Sequence, residues 1–182
     1  IVFGLVSVAV NLPFALLNFA GWRHIYDFHS SRSPDGSSFW VIFGGLPVPV
    51  VNGLSLAIVG AGLVVIGVTG IKNRQPIAEQ GLGTLVLFML VNKVSSPQFH
   101  LWLIPFLVLL PMPMWLIGLF LVVDLAYYTS SFNALYVTWG GQNAISGFIA
   151  ADWEPITIIR YLALLLIFYW VAIRPYRFWR KT

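Results

Sequence analysis

From Pro47 to Ile71 the chain carries no charged residue. About 20 apolar residues at the helical rise match the hydrocarbon thickness of a bilayer. Inside lipid each backbone N–H and C=O must be satisfied within the chain, so a run of this length takes the form of a helix. Apolar segments at residues 1–20, 80–94, 97–110, 114–130 and 155–173 extend the same reading. With 59% hydrophobic and 9% charged residues, against about 25% charged in soluble domains, a soluble globular domain is excluded. The expectation is an all-α membrane protein, a single transmembrane domain over residues 1–182 with about six transmembrane helices. The chain has no cysteine, which excludes disulfides and thiolate metal sites. The apolar start at Ile1 lacks the charged n-region of a signal peptide and is read as the C-terminal part of a longer multi-pass protein.

Several features refine this plan. Pro13 is expected to kink the first segment, and Asn11 and Asn18 turn it towards protein rather than lipid. Residues 21–46 read as a polar loop, with a turn at Ser33-Pro34-Asp35-Gly36. After it, Ser37–Phe43 reads as a re-entrant or interfacial helix capped by Ser37 or Ser38. Gly53, Gly60, Gly62, Gly67 and Gly70 suggest close helix packing in the second span. Arg174, Arg177, Arg180 and Lys181 make the tail basic, and Lys72 and Arg74 fall on the same side after six crossings. The positive-inside rule then places the C-terminus in the cytoplasm of a plasma-membrane protein. The 21–46, 93–98 and 131–154 segments face outward. Trp22, Trp40, Trp139 and Trp153 fit an outer aromatic belt, and Trp170, Tyr176 and Trp179 an inner one.

Within this apolar frame, Asn92 to Pro105 forms a polar island at the junction of two spans. Ionisable groups at membrane depth are costly and mark sites or pathways. Lys93 reads either as a lysine snorkelling to the interface or as a phosphate contact, with Ser95, Ser96 and Gln98 as hydrogen-bonding neighbours. Pro97 would open a helix whose free N–H groups favour an anion. His100 stands alone, without the second histidine of a zinc motif, and such a histidine is more often structural than a ligand. Asp124 lies in the fifth span and Arg160 at similar depth in the sixth. A buried acid needs a partner, so Asp124 is expected to pair with Arg160 or Lys93 as a structural ion pair. Arg32 and Asp35 lie on the turn; solvated surface and a site-forming loop explain them about equally well. No Walker loop, GxGxxG, GxSxG or metal cluster is present. The basic residues follow topology, which argues against nucleic acid as a partner.

The segment Asn92-Lys93-Val94-Ser95-Ser96-Pro97-Gln98-Phe99-His100-Leu101-Trp102-Leu103-Ile104-Pro105 resembles the NKVFSPQYLLWLLP motif of bacterial integral-membrane glycosyltransferases of the GT-C fold, including the family 87 polyprenol-phosphate-mannose-dependent mannosyltransferases. Ser95 stands where that motif has phenylalanine, and His100 where it has leucine. A second stretch, Trp22-Arg23, Phe28 and Arg32 to Trp40, is similar to a loop of the same family. Together the two cover about the middle half of the chain.

The resemblance implies a membrane enzyme that moves a sugar, mannose or a related one, from a polyprenyl-phosphate donor to an extracytoplasmic glycolipid or glycan acceptor. The catalytic acidic residue of such enzymes, the base, lies in an early outer loop, so it would precede Ile1. This chain would then supply donor-binding groups: Lys93, Ser96, Gln98, His100, Arg32 and Trp40. Membrane lipid is the remaining partner. Some members use a divalent cation, but no ligand set for a metal is visible. The competing class is a transporter or flippase of lipid-linked sugars, which would also want an anion-binding island and broken helices.

Overall fold

The computed structural model describes residues 2–36, 38–139 and 153–174. Three helices are long and apolar enough to cross a membrane: Val48–Asn73, Met114–Asn133 and Pro155–Ile173. A fourth crossing is added if the bent pair Gly4–Leu17 and Phe19–Ser31 counts as one. We label the helices α1 (Val2–Leu17), α2 (Phe19–Ser31), α3 (Val48–Asn73), α4 (Ile77–Val91), α5 (Ile104–Leu109), α6 (Met114–Thr138) and α7 (Trp153–Phe168). The described residues contain no strand, so the fold is an all-α membrane type.

The polar loop expected after the first span is largely helical. α1 runs through Pro13, and the sharp bend, 114°, falls instead at Asn18. Asn18 leaves the helical region (φ −151°, ψ 84°), and its side chain accepts a hydrogen bond from Gly21 N, capping α2. A Cβ at Gly21 would lie 2.9 Å from the Asn18 amide, so the cap needs a glycine there. Along α2, the rings of Phe19, Trp22 and Tyr26 meet in tilted pairs, while Arg23 and Asp27 pair across one turn at 3.1 Å. That division suits a helix lying along an interface. The interfacial helix expected at 37–43 is a short 3₁₀ turn, Phe39–Phe43, capped by Ser38; Ser37 lies outside the described residues.

α4 has 15 residues, ~22 Å at the helical rise. The segment after it was expected to be one helix. It is instead a six-residue 3₁₀ turn, Pro97–Trp102, followed by the six-residue α5. The prolines explain the break, since Pro97 and Pro105 each stand where an N–H is not required. The segment nonetheless retraces α4: Phe99 faces Phe88 at one end, and Phe106 approaches Gly81 at the other. Its two pieces sum to ~21 Å at 3₁₀ and α rises, matching α4.

The core lies where α4, α6 and α7 meet, around Leu82, Val86, Leu116, Phe120, Leu164 and Ile167. α3 packs on α4 at two of its glycines: a Cβ at Gly62 would meet Leu87 at 2.5 Å, and one at Gly70 would meet Gln80 at 2.6 Å. Gly53, Gly60 and Gly67 have no neighbour within 4 Å, so close packing accounts for only part of the glycine content. At the Gly70 end, Gln75 Nε2 donates to Val171 O at 2.8 Å, in the π-helical turn Tyr169–Ile173 that ends the sixth apolar segment. Gly140–Asp152 and the tail from Pro175 lie outside the described residues, and with them the expected belt residues Tyr176 and Trp179.

Trp40 was expected in an exposed aromatic belt. It is buried at 4% exposure, with Nε1 donating to Val91 O at 2.8 Å. Replacing it with Phe should cost about 1 kcal/mol for the lost hydrogen bond. The cost is softened because Ser55 Oγ also donates to Val91 O. Trp40→Ala should cost ~3–5 kcal/mol. Denaturant unfolding in detergent micelles checks both; equal costs would mean that the ring does not anchor the turn.

Candidate functional site

The polar island is stitched to the 32–40 segment strand by strand, although neither is a strand. Asp35 N donates to Lys93 O at 2.9 Å, and Ser95 N donates to Asp35 Oδ2 at 3.1 Å. Ser38 Oγ donates to Asn92 O at 3.1 Å, and Phe39 N to the Tyr161 hydroxyl at 2.9 Å. α4 ends at Val91, leaving late carbonyls without helical partners. Trp40 and Ser55 serve the Val91 carbonyl, so the turn completes the helix end.

Lys93 is half-buried and closes the other side. Its ammonium donates to His29 O at 2.6 Å and Arg32 O at 2.9 Å. These are carbonyls at and just beyond the α2 C-terminus, where a cation is favoured by the helix dipole. Two of its three donors are thus committed. Partial burial first, and then the positive charge of Arg32, lower the Lys93 pKa. The neutral form is therefore favoured more in the fold than in the unfolded chain. This contribution to stability improves as pH rises through the folded pKa towards the unfolded value. Arg32 itself is exposed, with its guanidinium 5.9 Å from the Phe28 ring centroid.

Beneath the island lies a buried polar network. Arg160, 1% exposed, donates through Nη1 to Ser95 Oγ at 2.7 Å, and sits 4.2 Å from the Tyr127 ring centroid. Its Nε lies 3.8 Å from Asp124 Oδ1. His100 stands between the two, with Nδ1 against Asp124 Oδ1 and Nε2 against Arg160 Nη2. The Tyr127 hydroxyl donates to Ser95 O at 3.0 Å. Arg160, rather than Lys93, is therefore the neighbour of Asp124. Ser95 spends its N–H on the 32–40 segment, its hydroxyl on α7 and its carbonyl on α6.

Two openings flank this network. An apolar groove of about 360 Å³ runs between α3, α4 and α7, past Phe39, Gly62, Leu87, Val91, Tyr161 and Phe168. A cleft of about 330 Å³ opens between the 97–102 turn and α6, reaching His100 and Asp124. Gln98 lines that cleft. Ser96 precedes the 3₁₀ turn and makes no side-chain cap. A six-residue 3₁₀ turn is too short to supply the helix-dipole anion site expected at Pro97.

The sequence motifs brought Lys93, Arg32, Trp40 and His100 into one region, though Trp40 contributes packing and His100 lies inside the network. The sequence placed Asp35 on the turn and Ser95 beside Lys93 but gave neither a part in the buried network, and it did not single out Tyr127 or Tyr161. Ser95 carried a signal, since a small polar residue stands at the bulky position of the resembled motif. Among the described residues no group of three His, Asp or Glu side chains is placed to hold a metal ion. No family model, curated protein or solved structure matches the chain.

Removing one member of a buried ion pair leaves the other uncompensated. Arg160→Met should therefore destabilise the protein by about 3 kcal/mol. The double variant Asp124→Asn/Arg160→Met should recover more than half of that loss. Unfolding of the singles and the double in detergent measures the coupling; simple additivity would contradict the pairing.

Proposed function

We propose that this chain is the donor-binding part of a GT-C-type membrane glycosyltransferase that uses a polyprenyl-phosphate sugar, mannose or a related one. The sugar passes to an extracytoplasmic glycolipid or glycan acceptor. The observation that carries the proposal is the clamp between the Lys93 segment and the Arg32 turn. It gathers two cations at one end of an apolar bundle, beside a groove of a size and polarity suited to a lipid chain.

The lipid tail lies in the α3–α4–α7 groove, where apolar burial holds it. The phosphate sits against Arg32 and the third donor of Lys93. Charge builds on that phosphate as the glycosidic bond breaks, so cations placed there favour the transition state over the ground state. A carboxylate placed by the resemblance before Ile1 takes the proton of the acceptor hydroxyl. The bond to the anomeric carbon forms on the face opposite the departing phosphate, inverting its configuration. Six crossings carry this arrangement, with α4 and the broken 97–109 segment as the short pair. The Lys72–Arg74 link faces the cytoplasm and the clamp faces outward, in a plasma-membrane protein.

Transport of lipid-linked sugars is the second reading, favoured by the broken 97–109 segment. Discontinuous helices border the substrate in many transporters. Sugar transfer in detergent, where no gradient exists, separates the two.

In the full-length protein, Lys93→Ala should lower the transfer rate by about 10²-fold, the scale of losing one charged transition-state contact. Arg32→Ala should raise the donor KM. Wild-type kinetics in both variants would reject the phosphate site. Cysteines at positions 74 and 93 should label from opposite sides of sealed vesicles; labelling from one side would reject the topology.

A further inference from the structure

The cleft between the 97–102 turn and α6 plays no part in holding phosphate or lipid, yet it exposes an edge of the buried network. At about 330 Å³ it falls at the low end of the usual range of small-molecule sites, roughly 300–1,000 Å³. Its lining divides cleanly. Gln98, Asp124 and Tyr128 bring hydrogen-bonding groups, and Leu101, Leu121 and Leu125 bring apolar surface. The Tyr128 ring is steadied by Phe132, with ring centroids 4.5 Å apart.

The charges select the ligand. Among the described residues Asp124 is the single carboxylate on the lining, so an anion is repelled. Its charge is already offset by Arg160, whose Nε lies 3.8 Å away. A cation would therefore gain little. Arg160 is itself 1% exposed and offers no cation to the cleft. A neutral molecule that donates hydrogen bonds is what remains.

His100 fixes how Asp124 is presented. Its Nδ1 faces the carboxylate and its Nε2 faces an Arg160 N–H. The proton therefore belongs on Nδ1, and the ring is neutral with Nε2 accepting, a tautomer assigned from its partners. Both neighbours lie on Asp124 Oδ1. The carboxylate also lines the cleft, where it can accept from a ligand hydroxyl.

We propose that this cleft is a binding subsite for a neutral sugar ring. Asp124 accepts a hydrogen bond from one hydroxyl, Gln98 and Tyr128 bond others, and the leucines cover the C–H face. The site stands on its own lining; only the source of the sugar, donor or acceptor, rests on the transferase reading.

The test uses the full-length protein in detergent, with methyl α-D-mannopyranoside as the probe followed by saturation-transfer NMR. Gln98→Ala removes a hydrogen-bonding group and Leu125→Trp fills the cleft, and neither touches the His100–Asp124–Arg160 contacts. Wild type should bind saturably. Each variant should bind about tenfold more weakly, with the melting temperature of Gln98→Ala unchanged. Wild-type binding in Gln98→Ala together with any folded cleft-filling variant would overturn the proposal, as would displacement of the sugar by sodium ions alone. Sugar binding lost in the variants, with no transfer in wild type, would uphold the cleft and reject the transferase reading. Transfer with both KM values unchanged in the variants would do the reverse. A raised donor KM assigns the sugar to the donor, and a raised acceptor KM assigns it to the acceptor.

Discussion

A guanidinium cannot be left alone among apolar helices, and the way Arg160 is compensated organises one end of this protein. Desolvating a charge costs several kcal/mol unless charge and hydrogen bonds are supplied nearby. Asp124 supplies the charge, His100 fills the space between them, Tyr127 offers its ring face, and Ser95 accepts a hydrogen bond at 2.7 Å. Once Ser95 is held there, the rest of the island has little freedom. Its backbone N–H reaches Asp35 and its carbonyl receives Tyr127. The network therefore couples α6, α7, the end of α4 and the 32–40 segment, and such networks act as units rather than as separate pairs.

That coupling gives the short α4 a purpose. α4 stops at Val91, and the chain returns as a 3₁₀ turn and a six-residue helix. A full-length helical hairpin would carry its connection to the membrane surface. Here the prolines at 97 and 105 break the return path, and polar side chains can sit below the clamp. The result is a bundle with an apolar groove on one side of α4 and a polar-edged cleft against α6. In the proposed reaction the groove takes a lipid chain and the clamp takes the phosphate.

The parts of this architecture that were legible in the sequence are those set by a single physical term. Long apolar runs located α3, α6 and the helix ending at Ile173, because crossing a bilayer demands length and apolarity. The Asp124–Arg160 proximity was legible because two buried charges at similar depth seek each other. α2 was read as a loop because its charge density outweighed a weaker signal. Phe19, Trp22 and Tyr26 recur at helical spacing beside Arg23 and Asp27. The return segment was read as one helix because prolines at helix starts are also permitted. Trp40 was placed at the surface because the type of a residue does not reveal which carbonyl it will find. Ser95 was read only as a hydrogen-bonding neighbour of Lys93 for a similar reason, since its importance lies in partners drawn from distant parts of the chain. Pattern in sequence reports burial and period; it does not report convergence.

The central claim is that the buried Arg160 network holds the 92–96 segment and the 32–40 turn together as one unit. Hydrogen–deuterium exchange on the detergent-solubilised protein, comparing wild type with Arg160→Met, tests it most directly. The account predicts that amides in both segments, Asp35 and Ser95 among them, lose protection together while the middle of α3 keeps its own. Loss of protection confined to α7, with the two segments exchanging as in wild type, would contradict it.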